Sequence, residues 1–379
     1  MGQVVTVTAA MRSMRDGSRR RRRRFAVGVT LASVTGSATL IPRRTPTAGP
    51  SVPDDVNRRR LDADHRRQPR LTLYLGTGVH QPPASMQTSP FDLDDDHTYQ
   101  AWRERKLATA PRSLDELIVD IEDPRRLSAD EHRAVLDRCR RANMAIYRSQ
   151  IGALEGTDIV RACGRQFGLD RLDHNRGAEA DAVTALTVQD DALHTPYVPY
   201  TDRPIHWHTD GYYNRLDRQD HALLLHCVRP AMRGGANALM DHEMAYLLMR
   251  DTNPEFVRAL MRPDAMMIPR NVVDGEELRP DRTGPVFMVT AAGTLHMRYT
   301  MRKRNVVWEQ DPVLLAAVAW LEALLKGGSP HIFRATLQSG WGLISNNVLH
   351  DRTGFDDAPD PASKRLLYRA RYHDRIDGT

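Results

Sequence analysis

The chain has 379 residues, 27% charged and 41% hydrophobic, which gives it apolar mass for one large domain or two ordinary ones. No run of eighteen apolar residues occurs, so no membrane-spanning helix is expected. The formal charge of +6 averages two unlike ends: residues 1–70 hold sixteen Arg, no Lys and five Asp, a net of +11 that leaves −5 for the remainder, and such an acidic body offers no footing to a polyanion.

Residues 1–85 read as a disordered, Arg-rich extension, with an unbroken arginine run at 19–24, another at 58–60, scattered Pro, Thr and Ser, and poor hydrophobic periodicity. Three readings compete for it. Basic runs bind nucleic acid. A twin-arginine export signal is the second, because residues 25–41 after the run are mildly apolar, although rich in Thr, Ser and Gly and without a small-x-small cleavage site. The third, adopted here, is a segment not natively translated, since Met86 opens a far more ordinary sequence. Residues 86–379 are then expected to form one domain. Cys139, Cys163 and Cys227 show no CxxC or zinc spacing, which suits buried thiols in a reducing, cytoplasmic setting.

From Pro90 onward the structural signals strengthen. Ser113-Leu-Asp-Glu has the capping-box pattern, but residues 117–121 alternate as a strand does. Ser128-Ala-Asp-Glu opens a helix with Leu136, Cys139 and Ala142 on its apolar side, and residues 158–167 read as a second, short helix. Between 182 and 344, short β-like runs at 223–228, 286–289 and 331–333 alternate with turns, interrupted by helices at 241–249 and 313–325. Many short strands with helices outside them predict an α+β chain with a double-stranded β-helix, or jelly-roll, core.

Two segments carry chemistry. In His206-Trp-His-Thr-Asp-Gly, strand periodicity turns His208 and Asp210 to one face, as one imidazole and one carboxylate of a 2-His-1-carboxylate set. His206 shares that face. Toward the other end, Ser345-Asn-Asn-Val-Leu-His-Asp-Arg-Thr-Gly-Phe closes an apolar run on His350. Arg365 and Arg369 follow, four residues apart, the side chain best shaped to grip a carboxylate.

Taken in order, Trp207-His-Thr-Asp, Pro230 with Gly234-Gly, Val348-Leu-His-Asp-Arg-Thr-Gly-Phe and Arg365 with Arg369 resemble the taurine/2,4-dichlorophenoxyacetate dioxygenase family of Fe(II)/2-oxoglutarate enzymes. The resemblance covers roughly residues 113–376. It implies His208, Asp210 and His350 as ligands of Fe(II), with 2-oxoglutarate and O2 as cosubstrates and no catalytic residue beyond the metal site. It implies Arg365 as the grip on the distal carboxylate of 2-oxoglutarate, and Arg369 as the holder of an anionic substrate group, with the reverse assignment left open by a long 350–365 gap. Asn237 stands where the family has a cosubstrate-binding Thr, and Ile344-Ser345 where it often has Asp-Asn. The implied reaction decarboxylates 2-oxoglutarate to succinate and CO2 while oxidising a small molecule, a carboxylate or a sulfonate. Trp207, Tyr212 and Tyr213 either line the substrate pocket or pack as ordinary aromatics. A homo-oligomer is the default for such an enzyme. The rival readings are a non-redox metal-binding jelly roll and nucleic-acid binding through the Arg-rich extension.

Overall fold

The computed structural model describes residues 89–174, 182–189, 198–273 and 275–379. The expectations for residues 1–85 lie outside them. Helix α1 (Asp96–Thr109) starts on Asp95, whose carboxylate accepts from the Thr98 amide. Residues 114–117 form a short 3-10 turn that leads into β1 (Ile118–Ile121). Helix α2 (Ala129–Ala142) carries the expected capping box between Ser128 and Glu131, and ends on Asn143 in the left-handed region. β2 (Met144–Ser149) and α3 (Asp158–Arg165) follow, then β3 (Thr184–Leu186), β4 (Ile205–His208) and β5 (Ala222–Arg229).

β6 (Arg233–Gly234) and β7 (Asn237–Met240) lead to α4 (His242–Thr252) and α5 (Pro254–Leu260). An excursion of short strands comes next: β8 (Met266–Ile268), β9 (Asn271–Val273), β10 (Glu276–Arg279), β11 (Arg282–Gly284), β12 (Phe287–Val289), β13 (Leu295–Met297) and β14 (Val307–Trp308). After α6 (Pro312–Gly327) the chain returns through β15 (Phe333–Ala335), β16 (Trp341–Ser345), β17 (Leu349–Arg352), β18 (Phe355–Asp356) and β19 (Leu366–Tyr372).

Two sheets make the core. One runs β1-β2-β16-β5-β19-β3, with only the β1–β2 pair parallel, and the other runs β15-β7-β17-β4, all antiparallel. Alternation along β5 explains their packing. Leu223, Leu225 and Cys227 join Leu343 and Leu367 of the large sheet with Leu239, Phe333 and Ala335 of the small one in a single buried cluster between the sheets. Ala222, Leu224 and Val228 point the other way, into a second cluster with Val135 and Cys139 of α2 and Val160 and Cys163 of α3. The third cluster gathers α4, α5 and α6 with the excursion. The sandwich is a jelly roll, as the alternating short strands predicted. All three cysteines are buried and unpaired. Among the described residues no helix is long and apolar enough to cross a membrane.

Candidate metal centre

The ligand set is assembled across one strand pair. β17 runs antiparallel to β4 with His350 opposite His208, and the two rings lie 4.2 Å apart at 50°. Each ring is oriented in the same way. His208 Nδ1 lies 2.9 Å from the His206 carbonyl, and His350 Nδ1 lies 2.9 Å from the Val348 carbonyl. A carbonyl only accepts, so both Nδ1 atoms carry the proton and both Nε2 atoms keep a lone pair for a cation. Asp210 Oδ1 is 3.4 Å from His208 Nε2, and one ligand atom from each of His208, Asp210 and His350 lies within 4.8 Å of the others. Two imidazole nitrogens and one carboxylate, converging and otherwise unshared on that side, fit a non-haem Fe(II). Burial, reinforced by His208, pushes the His350 imidazole down to about 4, which keeps it neutral and ready to ligate.

Asp210 is fixed from three sides. Gly211 follows it at φ +64°, and a Cβ there would sit 2.2 Å from Asp220 Oδ2, so only glycine fits the turn. Asn347, itself left-handed at φ +50°, accepts the Asp210 amide at 2.8 Å and donates to the Asp210 carbonyl at 2.9 Å and the Asp220 carbonyl at 2.6 Å. Arg369 Nη1 donates to Asp210 Oδ2 at 3.4 Å. Burial pushes the Asp210 carboxyl up, but Arg369, His208, Arg371 and His350 together hold it well below the usual carboxylate range.

The arginines come from one strand. Leu366, Tyr368, Ala370 and Tyr372 pack outward under α2 and α3, so period-2 alternation turns Arg365, Leu367, Arg369 and Arg371 inward. Arg365 is 5% exposed and lies over the Phe355 ring at 4.9 Å. Its guanidinium makes no ion pair among the described residues, and burial draws its pKa down. Arg371 is instead paired: it engages Asp173, lies 3.4 Å from Asp220 and donates to the Tyr213 hydroxyl at 2.8 Å, although its Nε makes no hydrogen bond. Burial pushes Asp220 up to about 7 despite Arg371. Asp173, Asp220 and His373 also converge, but Arg371 already engages both carboxylates. The triad, Asn237, Arg365 and Arg369 border one cleft, with Leu186, Leu223, Leu225 and Leu367 among its apolar walls.

Several expectations need revising. Trp207 is 5% exposed and packs into the cluster with α4 and α6, because it alternates away from His208. The Tyr212 hydroxyl is taken by the Asn305 amide at 2.9 Å, and its ring packs against the same cluster. Neither borders the cleft. His206 is exposed and contributes its carbonyl. Arg369 meets Asp210, while Asp357 Oδ1 accepts the Arg365 amide and Asp356 pairs with Arg233. Asn237 donates from its side-chain amide to the Asp351 carbonyl at 2.8 Å, which commits one of its two amide hydrogens. Sequence reasoning missed Arg371, Asn347 and Arg352. Arg371 was recoverable from the alternation of 366–372. Arg352, bordering the cleft and pushed down to about 9 by burial, donates to the carbonyls of Pro199, Thr201 and Arg203, a set no local pattern foretells.

The chain is similar to several known proteins. Two curated relatives are named uridine-5'-phosphate dioxygenase: one from Amycolatopsis sp, 29% identical over 172 residues, covering 44% of this chain and 60% of the relative, and one from Streptomyces sp, 28% identical over 202 residues, covering 52% and 70%. The chain therefore spans less than two thirds of the first and somewhat more of the second. Among solved structures, an asparagine oxygenase with Fe(II), 2S,3S-3-hydroxyasparagine and succinate is 15% identical at a TM-score of 0.47, over 76% of this chain and 86% of that one. The non-heme iron oxygenase OrfP with Fe and alpha-ketoglutaric acid is 16% identical at a TM-score of 0.48, over 73% and 91%. The sequence model of one family matches residues 105–371, and on that match the chain belongs to the taurine catabolism dioxygenase TauD, TfdA family.

Proposed function

We propose that this dioxygenase uses Fe(II), O2 and 2-oxoglutarate to oxidise a small anionic organic molecule. The observation that carries the reading is Arg365: a guanidinium stays charged, this one is buried without an ion pair among the described residues, Asp357 acting on it only from beyond pairing distance, and it borders the same cleft as the two histidines and Asp210. The distal carboxylate of 2-oxoglutarate is the missing anion. His208, Asp210 and His350 hold the iron through two Nε2 atoms and one carboxylate oxygen. The His206 and Val348 carbonyls keep the ring protons on Nδ1. Asn237 offers its second amide hydrogen to the cosubstrate. Leucines 186, 223, 225 and 367 keep bulk water from the cleft, which strengthens its charge contacts and protects the oxidant. The bound iron supplies the redox chemistry that couples decarboxylation of 2-oxoglutarate to succinate with oxidation of the substrate.

The relatives named for uridine-5'-phosphate make nucleoside monophosphates the first substrates to try, ahead of carboxylates and sulfonates. The test is succinate release by the iron-loaded chain in air across such a panel. Succinate that requires both iron and O2 supports the reading. Stoichiometric iron binding without 2-oxoglutarate turnover would support a metal-binding jelly roll instead. Nucleic-acid binding would rest on residues 1–85, outside the described residues.

A further inference from the structure

Arg279, Arg282 and Arg298 stand apart from the arginines of the cleft. They arise from β10, β11 and the residue after β13; Arg298 meets Tyr212 and Arg279 meets Tyr213, directly after the Asp210-Gly211 turn, and Arg282 lies near Arg279. Arg298 is fully buried, donating to the Tyr212 carbonyl at 3.2 Å and the Pro285 carbonyl at 3.2 Å, with Nη2 left without a partner. Arg279 is half-buried, 5.7 Å above the Tyr213 ring. Its Nη2 donates to the Pro269 carbonyl at 2.8 Å and its Nη1 is buried without a partner. Arg282 has a buried Nε without a partner, and it lies close enough to repel Arg279. None of the three forms an ion pair among the described residues. The carboxylate nearest in sequence, Asp281, is exposed and accepts the Arg270 amide at 2.6 Å, and it acts on Arg279 without pairing with it. Burial lowers the Arg279 guanidinium and brings that of Arg298 down to about 10.

This arrangement is costly unless an anion completes it. A guanidinium cannot shed its charge at neutral pH, and one withdrawn from water without a counter-charge is destabilising by several kcal/mol. The arginines of β19 have answers already: Arg369 meets Asp210, and Arg371 meets Asp173 and Asp220. The Tyr213 hydroxyl accepts from Arg371 while its ring lies beneath Arg279. Tyr213 therefore touches both Arg279 and Arg371 of β19, the strand whose Arg369 borders the cleft, while the three arginines themselves lie outside the cleft lining.

We propose that Arg279, with Arg282 and Arg298 behind it, is the subsite for the anionic end of the substrate, and that this end is a phosphate. Clustered cations balance a dianion with three acceptor oxygens better than a single carboxylate. The role first expected of Arg369 thus passes to another part of the chain. The inference deepens the oxygenase reading and rests on it for the word substrate.

The test is calorimetric titration of inorganic phosphate, without oxygen, into the full chain loaded with Fe(II) and 2-oxoglutarate, so that the cosubstrate covers Arg365. Phosphate should bind the wild type. Arg279→Ala and Arg282→Ala should each weaken it about tenfold or more, the scale of a lost charge-assisted hydrogen bond, while Arg279→Lys should keep part of the affinity. Their affinity for 2-oxoglutarate should stay within about twofold of the wild type, which shows that they fold. Phosphate affinity unchanged in both alanine variants overturns the subsite, as does a wild type that binds 2-oxoglutarate but no phosphate. Phosphate binding that depends on Arg279 in a chain that does not bind 2-oxoglutarate keeps the subsite and removes the oxygenase reading.

Discussion

Arg365 and Arg369 occupy the same face of one strand four residues apart, at similar burial, yet they are in opposite electrostatic states. Arg369 meets Asp210 across 3.4 Å. Arg365 meets an aromatic ring and forms no ion pair among the described residues. The chain neutralises the end of the cleft that lies against its own metal ligands and leaves the other end charged. Residue type and spacing mark both arginines as candidates for a ligand. The partner already in place decides which of them is available.

The largest effect that would break this picture concerns the ligands themselves. Removing any one of His208, Asp210 or His350 by substitution with Ala should reduce iron binding by about 100-fold or more and abolish turnover. Iron content after gel filtration reads this directly, and His206→Ala should retain full metal. Retention of iron in His350→Ala would undo the assignment.

The available arginine gives the next largest change. Arg365→Ala should raise the dissociation constant for 2-oxoglutarate by about ten- to a hundredfold, with iron content unchanged. A variant that binds 2-oxoglutarate normally would mean that Arg365 is merely packed.

For the neutralised arginine the effect falls on stability. Breaking a buried pair by removing one partner costs about 3 kcal/mol, so metal-free Arg369→Ala should unfold at lower denaturant than the wild type at pH 7. The pH dependence has a definite sign. Arg369 holds the folded Asp210 carboxyl below its unfolded value, so the stabilisation is complete above about pH 4, the ordinary aspartate range, and is lost as pH falls through the depressed folded value. The gap between the two proteins should therefore close in acid. A gap that widens there would point to a different partner for Arg369.

The smallest expected effect sharpens the boundary of the domain. We propose that a chain starting at Met86 keeps its melting temperature and its turnover, because the removed segment carries the net charge of +11 over residues 1–70 and little patterned apolar surface. A drop of more than a few degrees in the melting temperature would refute this.

His208, Asp210 and His350 were legible as candidates from their order and spacing, although β4 ends at His208 and Asp210 reaches the group from the turn that follows. The helices at Ser128 and at residues 312–327 were legible from capping and spacing. Helix α1 was not foreseen. Its sequence is largely polar, and only Tyr99 and Lys106 are buried, the latter between Asp241 and Glu243. The sequence left Trp207 open between pocket lining and packing; neighbouring strand residues face opposite ways, and it packs into the cluster with α4 and α6. The partner of Arg369 lies 159 positions away, so it becomes visible only when the strands are paired. Arg279 falls in the excursion of short strands, where no motif drew attention to it.

Asn347 carries a consequence for how a cation would load. Its side chain joins the backbone of Asp210 to the turn that precedes His350, and the β4–β17 register joins that turn to His208. The three donors thus belong to one hydrogen-bonded unit built from backbone, standing before any ion arrives. Loading should release solvent with little reshaping of the chain. The free energy of coordination then goes into retention of the ion, and not into organising a loop around it.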